Sequence, residues 1–389
     1  MSGKFDVIVV GAGPAGAVAA YYLAKEFDRN ILLVDKAVFP RDKPCGGYLT
    51  ARVFHRFSFL KPDLSKMIEV PTYGSYFYSP DLMRLEWLKA EPVGYLAIRR
   101  KFDTYLKDLA VANGVEFRQE TEVVDIEIKE DVAKILTKGG AKYAGDLIIG
   151  ADGARSIIAK RVRIKENSKG TSKGLCVEKE IEVSEDFLER TYGTQRPTHY
   201  FYGFGNIIGY GWIFPKRRHL NVGIGGPAMH GKFLGRVFPK FIKFLQESSL
   251  LPESVENFKG FKAALIPTST ALYLKRSYSE RVLLVGDALG IASSLSGEGI
   301  YQSMSSGEDA ATIANEALSE GHGNSGILQR YDRLWKKDLG RELKTAGNIM
   351  QIGTTGDKAD LIAKMNLFFR RMQQEKGLFE YFVNQFFGL

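Results

Sequence analysis

The stretch Phe5-Asp6-Val7-Ile8-Val9-Val10-Gly11-Ala12-Gly13-Pro14-Ala15-Gly16 decides the architecture. Its first six residues are largely apolar and read as a strand buried on both faces. The run breaks at Gly11-x-Gly13-x-x-Gly16 and continues as a helix from Ala17 to Phe27; Ile31 to Val34 is a second buried strand, closed by Asp35. The first glycine permits a tight turn, the second lets backbone approach a pyrophosphate, and the third lets helix and strand pack closely. The helix N-terminus then faces phosphate oxygens, and Asp35 can accept from a ribose hydroxyl. NAD and FAD proteins share this pattern, and a tight turn in an empty Rossmann-like domain also satisfies it.

A distant second signal separates these readings. Val282-Leu283-Leu284-Val285-Gly286-Asp287-Ala288-Leu289-Gly290 is followed by Ser296-Gly297-Glu298-Gly299-Ile300. A buried strand delivers Asp287 to a turn, and glycines open a helix about ten residues later. Asp287 there can accept from ribityl hydroxyls, and the helix N-terminus favours an anionic reduced flavin. A surface loop before a glycine-opened helix is the plainer reading. Found together with the first motif, the pair selects FAD over NAD. A third turn, Gly150-Ala151-Asp152-Gly153-Ala154-Arg155-Ser156 after Leu147-Ile148-Ile149, offers Asp152 either to the cofactor or as a helix N-cap.

Between these signals the texture changes. Residues 66–98 are aromatic-rich (Tyr73, Tyr76, Phe77, Tyr78, Trp87) and predict strands of a different sheet. Arg99 to Asn113 predicts a helix, and strands are expected at 115–117, 122–128, 133–137 and 146–150. Residues 175–274 alternate like strands around one helix, Phe233 to Gln246. Arg281 to Val285 returns to buried-strand texture, and beyond Gly299 the pattern is helical to Leu389. The expected fold class is α/β: an FAD-binding Rossmann-like lobe with an inserted β-rich substrate lobe and a C-terminal helical region. The expected segments are 1–65, 99–174 and 275–310 for the FAD lobe, 66–98 and 175–274 for the substrate lobe, and 311–389 for the helical region.

Composition excludes several classes. The 389 residues are 44% hydrophobic and 25% charged, with Gly 41 and Pro 13, so neither a collagenous nor a low-complexity chain is present. No stretch approaches the ~20 apolar residues that span a bilayer. The N-terminus runs straight into a strand, which predicts no cleavable signal peptide. Cys45 and Cys176 are the only cysteines, which rules out a disulfide scaffold and makes a reducing cytoplasmic compartment the expectation. The net charge of +9 includes two dense runs, Lys160-Arg161-Val162-Arg163-Ile164-Lys165 and Lys216-Arg217-Arg218-His219. Neither has the interleaved aromatics of a nucleic-acid module, and a solvated face is the expected meaning. An anionic membrane surface or an acidic electron carrier is the alternative. His55, His199, His219, His230 and His322 lie too scattered for metal-ligand spacing.

The three turns together resemble the flavoprotein hydroxylase superfamily, with its p-hydroxybenzoate-hydroxylase-like fold. Lys43-Pro44-Cys45-Gly46-Gly47, Tyr210-x-Trp212-x-Phe214-Pro215 and Arg99-x-x-Phe102-Asp103 resemble segments of the geranylgeranyl reductase family, over nearly the whole chain. Two positions depart from that family: Ile207 stands where a proline usually precedes the aromatic motif, and Ser294 where a proline usually lies before Gly-Glu-Gly. The resemblance, with the motifs above, implies FAD contacts from Gly11, Gly13, Ala15, Gly16, Asp35, Cys45, Gly46, Gly47, Arg99, Val123, Asp152, Asp287, Gly299 and Ile300. It also implies a reductase that saturates C=C bonds of a polyprenyl (geranylgeranyl) chain in a lipid or prenyl diphosphate, by hydride transfer from reduced flavin. The alternative is a flavin-dependent monooxygenase or halogenase of the same fold.

Alternation puts Tyr210, Trp212 and Phe214 on one strand face, an aromatic wall expected to hold the substrate. A sandwich core face is the competing reading for Phe214. Tyr210 and Trp212 are the candidates for buffering developing positive charge, and Cys45 is a candidate proton source. A small residue that merely permits close approach before Gly46-Gly47 is the other reading of Cys45. Cys176 is expected in the core. NADPH, bound transiently, or reduced ferredoxin is the expected electron donor, since a second dinucleotide fingerprint is missing. Phe379, Phe382, Val383, Phe386 and Phe387, with Met365, Phe368, Phe369 and Met372, recur at helical spacing. They are expected to pack on the protein's own core, with an apolar ledge at the mouth of a lipid tunnel or on a membrane surface as the alternative.

Overall fold

The structure, a computed structural model, describes residues 4–164, 173–255, 260–321, 325–352 and 357–389. Lys165 of the first basic run and His322 lie outside the described residues, as does the side chain of His230. The chain divides into two compact units: Met1–Asp42, Arg100–Ser172 and Pro267–Thr345 form the first, and Lys43–Arg99, Lys173–Ile266 and Ala346–Leu389 form the second.

The first unit is built on a sheet whose central strand is Phe5–Val10, buried except at Asp6. Parallel to it lie Lys142–Gly150 on one side and Ile31–Val34 on the other, with Val282–Leu284 and Glu116–Arg118 continuing outward. A hairpin, Val123–Ile128 with Ala133–Thr137, joins the edge of Lys142–Gly150 in antiparallel fashion. Runs such as Ile31-Leu32-Leu33-Val34 are wholly buried, as a strand covered on both faces requires. The helix Pro14–Lys25 packs on the helix Ile300–Ser319 so closely that a Cβ on Gly307 would lie 2.3 Å from the Ala15 carbonyl.

The second unit is built on a seven-stranded sheet in the order 262–266, 174–182, 219–227, 210–215, 198–202, 74–78 and 84–88. One face carries Val177, Ile181, Phe201, Ile213, Val222 and Ile224, all buried under the helix Gly231–Glu247 through Leu234, Phe238, Phe241 and Leu245. The other face is aromatic: Phe77, Tyr200, Tyr210, Trp212 and Phe214. The C-terminal helix Lys376–Phe387 covers it, with Phe386 4.8 Å from Tyr200 and 6.0 Å from Tyr210 by ring centroid.

Three expectations change. The first segment ends at Asp42, not at 65, because Tyr48–Thr50 pairs with Gly94–Leu96 in a small sheet of the second unit. The C-terminal region is not one body. Residues to Thr345 pack with the first unit, where Tyr331 donates to the Leu284 carbonyl at 2.9 Å, while Ala346–Leu389 belongs to the second. Residues 175–274 hold a second helix, Glu185–Tyr192, capped by Ser184 accepting from Phe187 N. Its one-and-a-half apolar turns were too short to stand out from strand alternation.

Candidate active site

In the first unit the three turns meet at the carboxyl ends of neighbouring parallel strands, where open α/β sheets bind ligands. Gly11 has φ +105°, and a Cβ there would lie 2.4 Å from the Ala151 carbonyl. A Cβ on Gly16 would lie 1.9 Å from the Gly11 carbonyl, so only glycine closes this turn. Gly13 is the N-cap of Pro14–Lys25, whose first turn has neither an acidic residue nor a side-chain cap, so its N–H groups face outward unclaimed by carboxylate. Asp35 ties the loop together: Oδ2 accepts from Ala12 N and Oδ1 from Ala37 N, each at 2.8 Å. Val285 N donates to the Gly150 carbonyl at 3.0 Å, setting Asp287 on the short helix Gly286–Leu289 beside the Asp152 turn. Gly299 caps the helix that Ile300 opens, and a Cβ on Gly299 would stand 3.9 Å from Asp287 Oδ1. Val123 opens its hairpin strand and is buried.

Asp152 adds to the cap of the helix Ile157–Arg161, whose N-cap is Ser156, accepting from Ala159 N at 2.8 Å. Asp152 Oδ2 accepts from Ile157 N at 2.7 Å and Ile158 N at 3.2 Å, while Oδ1 is buried with no partner among the described residues. Burial raises its pKa, opposed by those hydrogen bonds.

One residue escaped the sequence reading. Arg41 pairs with fully buried Asp103 at 2.9 Å, and its Nη2 stands 3.6 Å from where a Gly13 Cβ would be. Its Nη1 is buried and unpartnered. A cation with an open donor over a glycine loop at a helix N-terminus fits a pyrophosphate. The glycine cradle, the bare helix N-terminus and this orphaned guanidinium together fit the diphosphate of FAD. Nothing in local spacing marks Arg41, since its partner Asp103 lies on the helix Arg99–Ala112.

In the second unit, Cys45, Gly46 and Gly47 lie against the aromatic strand. A Cβ on Gly46 would strike the Phe214 ring at 2.3 Å. Gly47 has φ +78°, and a Cβ there would meet the Ala97 carbonyl at 2.0 Å. Cys45 is half-buried and its Sγ accepts from Gly47 N at 3.4 Å. Arg99 is 6% exposed at the start of its helix. Tyr210, Trp212 and Phe214 share one face, with neighbouring rings about 6.1–6.2 Å apart. The wall is a closed surface: Trp212 and Phe214 are buried, and Phe386 and Phe387 of the C-terminal helix rest on their neighbours. Burial pushes the Tyr210 phenol well above its usual value and the Cys176 thiol up to about 12.

Beside that wall, on the same sheet face, lies a polar network that sequence reading missed. Trp212 Nε1 donates to Asn221 Oδ1 at 2.7 Å. Asn221 Nδ2 donates to Glu178 Oε2 at 2.7 Å and to Glu180 Oε1 at 3.0 Å. Burial, then the charge of Glu180, raises Glu178 to about 7. The readable signal was the buried Glu178 following Leu175-Cys176-Val177, with Glu180 on the same strand face.

Lys216 pairs with Glu180 and has no exposure at all. Arg217 donates to the Glu69 carbonyl at 3.3 Å, and Arg218 pairs with Glu185 at 2.8 Å. The second basic run is solvated in part: Lys216 is internal, while Arg217 and Arg218 are exposed, with Arg218 paired to the unforeseen helix. Among the described residues, no group of His, Cys, Asp and Glu could hold a metal, and no helix is long and apolar enough to cross a membrane.

An FAD binding domain model matches residues 4–185. An uncharacterized protein of Methanosarcina barkeri is 31% identical over 88% of this chain and 82% of its own. Digeranylgeranylglycerophospholipid reductase 2 of Methanococcoides burtonii is 30% identical over 89% of this chain and 83% of its own. A geranylgeranyl bacteriochlorophyll reductase-like protein of Thermoplasma acidophilum superposes with a TM-score of 0.78 at 23% identity, covering 93% of this chain and 91% of that one. The chain is therefore an FAD-dependent oxidoreductase. It belongs to the geranylgeranyl reductase family of flavoproteins.

Proposed function

We propose that this protein saturates C=C bonds of geranylgeranyl chains carried on a glycerophospholipid. The observation that carries the reading is the aromatic face of the second unit, continuous from Phe77 through Tyr200, Tyr210 and Trp212 to Phe214. Such a face suits a long branched hydrocarbon and offers little to a small polar aromatic substrate. The named reductases among the relatives support the lipid-borne substrate.

Bound FAD supplies the hydride once reduced. Gly11, Gly13, Ala15, Gly16, Asp35, Arg41, Asp287, Gly299 and Ile300 hold it in the first unit. Cys45, Gly46, Gly47 and Arg99 belong to the second, and Val123 and Asp152 border the hairpin and the capped turn. An isolated alkene has no carbonyl to spread charge, so rate comes from positioning in a dry pocket. Tyr210 and Trp212 orient the chain and face the carbon that gains positive character, while Phe214 packs behind it. Cys45 stands at the turn as a proton carrier. The C-terminal helix supplies the apolar cover that the entering chain displaces or lines. Exposed Leu367, Phe368, Tyr381 and Leu389 near Arg370 and Arg371 suit a peripheral contact with a lipid surface. The electron donor is NADPH or reduced ferredoxin, and rapid-mixing reduction of the flavin by each identifies it.

The test is lipid mass spectrometry after expression in a host that makes unsaturated prenyl glycerolipids. Two hydrogens are added per double bond with the wild type, and at least about tenfold less product accumulates with Tyr210→Phe or Trp212→Ala. Oxygen-dependent hydroxylation, or wild-type turnover by both variants, would reject the proposal.

A further inference from the structure

We infer that Glu178 and Asn221 form a proton-dependent clamp that holds the Trp212 indole and the Cys45 turn in their working positions. Glu178 is a positioning residue in this scheme, acting through Asn221. Only the activity arm of the inference rests on the prenyl-reduction reading.

The indole N–H can only donate, so it fixes Asn221 with Oδ1 toward Trp212 at 2.7 Å. That turns Nδ2 toward Glu178 Oε2 at 2.7 Å and Glu180 Oε1 at 3.0 Å, with the Cys45 carbonyl at 3.5 Å. Gly223 makes room, because a Cβ there would lie 2.1 Å from the indole. The indole, the turn and two strands thus meet at one carboxamide.

Charge then sets the condition. Glu178 is 3% exposed and shares the carboxamide with a second carboxylate. The groups facing it are Glu180 and Cys176 on its own strand, Lys216 beyond the Tyr210 strand, Lys262 on the edge strand, and Cys45 by way of Cys176. Lys216 is wholly buried and pairs with Glu180, and its Nζ lies 3.2 Å from where a Gly47 Cβ would be. Lys262 is exposed. Inside the network, one ammonium therefore answers two carboxylates, and a proton on Glu178 removes the excess charge. Burial and the Glu180 charge raise Glu178 to about 7, which places the change within the working range. Once Glu178 ionises, its charge repels that of Glu180 across the carboxamide, and this repulsion outweighs the gain in the bond from Asn221 and loosens the clamp.

The experiment uses the FAD-loaded enzyme and needs no substrate in its first arm. Tryptophan fluorescence is followed from about pH 5.5 to about pH 9, with Trp212→Phe giving the background of Trp87 and Trp335. The wild type is expected to show a transition near pH 7, absent from Glu178→Gln, whose amide oxygen still accepts from Asn221. In the second arm, turnover of a geranylgeranylated glycerolipid falls about tenfold from about pH 6 to about pH 8.5 in the wild type. Glu178→Ala is slow throughout, and Glu178→Gln restores the rate and flattens the alkaline fall. A fluorescence transition that survives in Glu178→Gln overturns the clamp. So does a Glu178→Gln enzyme slow at every pH, which would make Glu178 the proton donor instead. Wild-type protein with the fluorescence transition but no turnover upholds the clamp and rejects the prenyl-lipid reading.

Discussion

Arg41 is where the loss of a single side chain separates cofactor binding from folding. Its ion pair with Asp103 and its unpartnered Nη1 mean that Arg41→Met removes a donor for phosphate and takes a cation away from a buried carboxylate. The expected result is at least about tenfold weaker FAD binding, ~1.4 kcal/mol or more, with roughly 3 kcal/mol lost in stability. Flavin-fluorescence titration and urea unfolding measure the two effects. Asp103→Asn, which keeps the cation, is expected to bind FAD more tightly than Arg41→Met. Equal FAD affinity in Arg41→Met and wild type would remove Arg41 from the cradle. Gly223 gives a second residue-scale test. With the indole 2.1 Å from its missing Cβ, Gly223→Ala displaces Trp212 from Asn221 and costs about 1–3 kcal/mol. An unchanged urea midpoint and unchanged tryptophan emission would show that the indole has room to move. What was legible at this scale follows sequence distance. Gly11, Gly13 and Gly16 announce themselves by their spacing within one turn, although the contacts at Gly11 and Gly13 come from Ala151 and Arg41. Arg41 and Asn221 do not, because Asp103, Glu178 and Trp212 come from elsewhere in the chain.

At the scale of elements, the seven-stranded sheet titrates in opposite senses on its two faces. His199, on the strand Thr198–Tyr202, is stacked with Tyr78 and Phe201 and met edge-on by Tyr192, and burial brings it down to about 3, with Arg84 adding to the shift. A histidine depressed in the fold is protonated first in the unfolded chain. Its contribution is therefore full above 6.5 and lost as pH falls toward 3. Glu178 on the aromatic face is raised from 4.5 to about 7, so its contribution is full below 4.5 and lost as pH rises through 7. Between 4.5 and 6.5 the two slopes, each about 1.4 kcal/mol per pH unit, oppose one another. Relative to wild type, Glu178→Gln is expected to gain thermal midpoint as pH rises across that window. Parallel wild-type and variant melting curves would mean that Glu178 ionises normally. Element boundaries were readable where one pattern dominated. Phe5–Val10 and Ile31–Val34 fall where the apolar runs put them, and Gly231–Glu247 extends its expected helix at both ends. Glu185–Tyr192 was not readable, since eight residues hold only Leu188 and Tyr192 as buried anchors.

For the whole molecule, the charge of +9 is distributed less freely than the sequence suggests. Lys216 is internal, Arg218 is answered by Glu185, and Arg161 by Asp125 at 2.9 Å. Lys160, Arg161, Arg163, Arg217 and Arg218 stay exposed with part of their charge answered locally, so steering of an anionic partner combines these runs with the summed field. That field is screened over ~10 Å at 0.1 M salt, so it acts on the rate of encounter more than on affinity. If an acidic ferredoxin is the donor, the second-order rate of flavin reduction should fall by roughly tenfold or more between 0.02 and 0.5 M salt. Substitution of paired Arg218 should change it little, because its charge is already compensated locally. NADPH, a small anion whose final contacts are short-ranged, should show a much shallower dependence under the same conditions. Rapid-mixing absorbance at the oxidised-flavin band reads both donors. A ferredoxin rate indifferent to salt would separate the basic composition from electron delivery altogether.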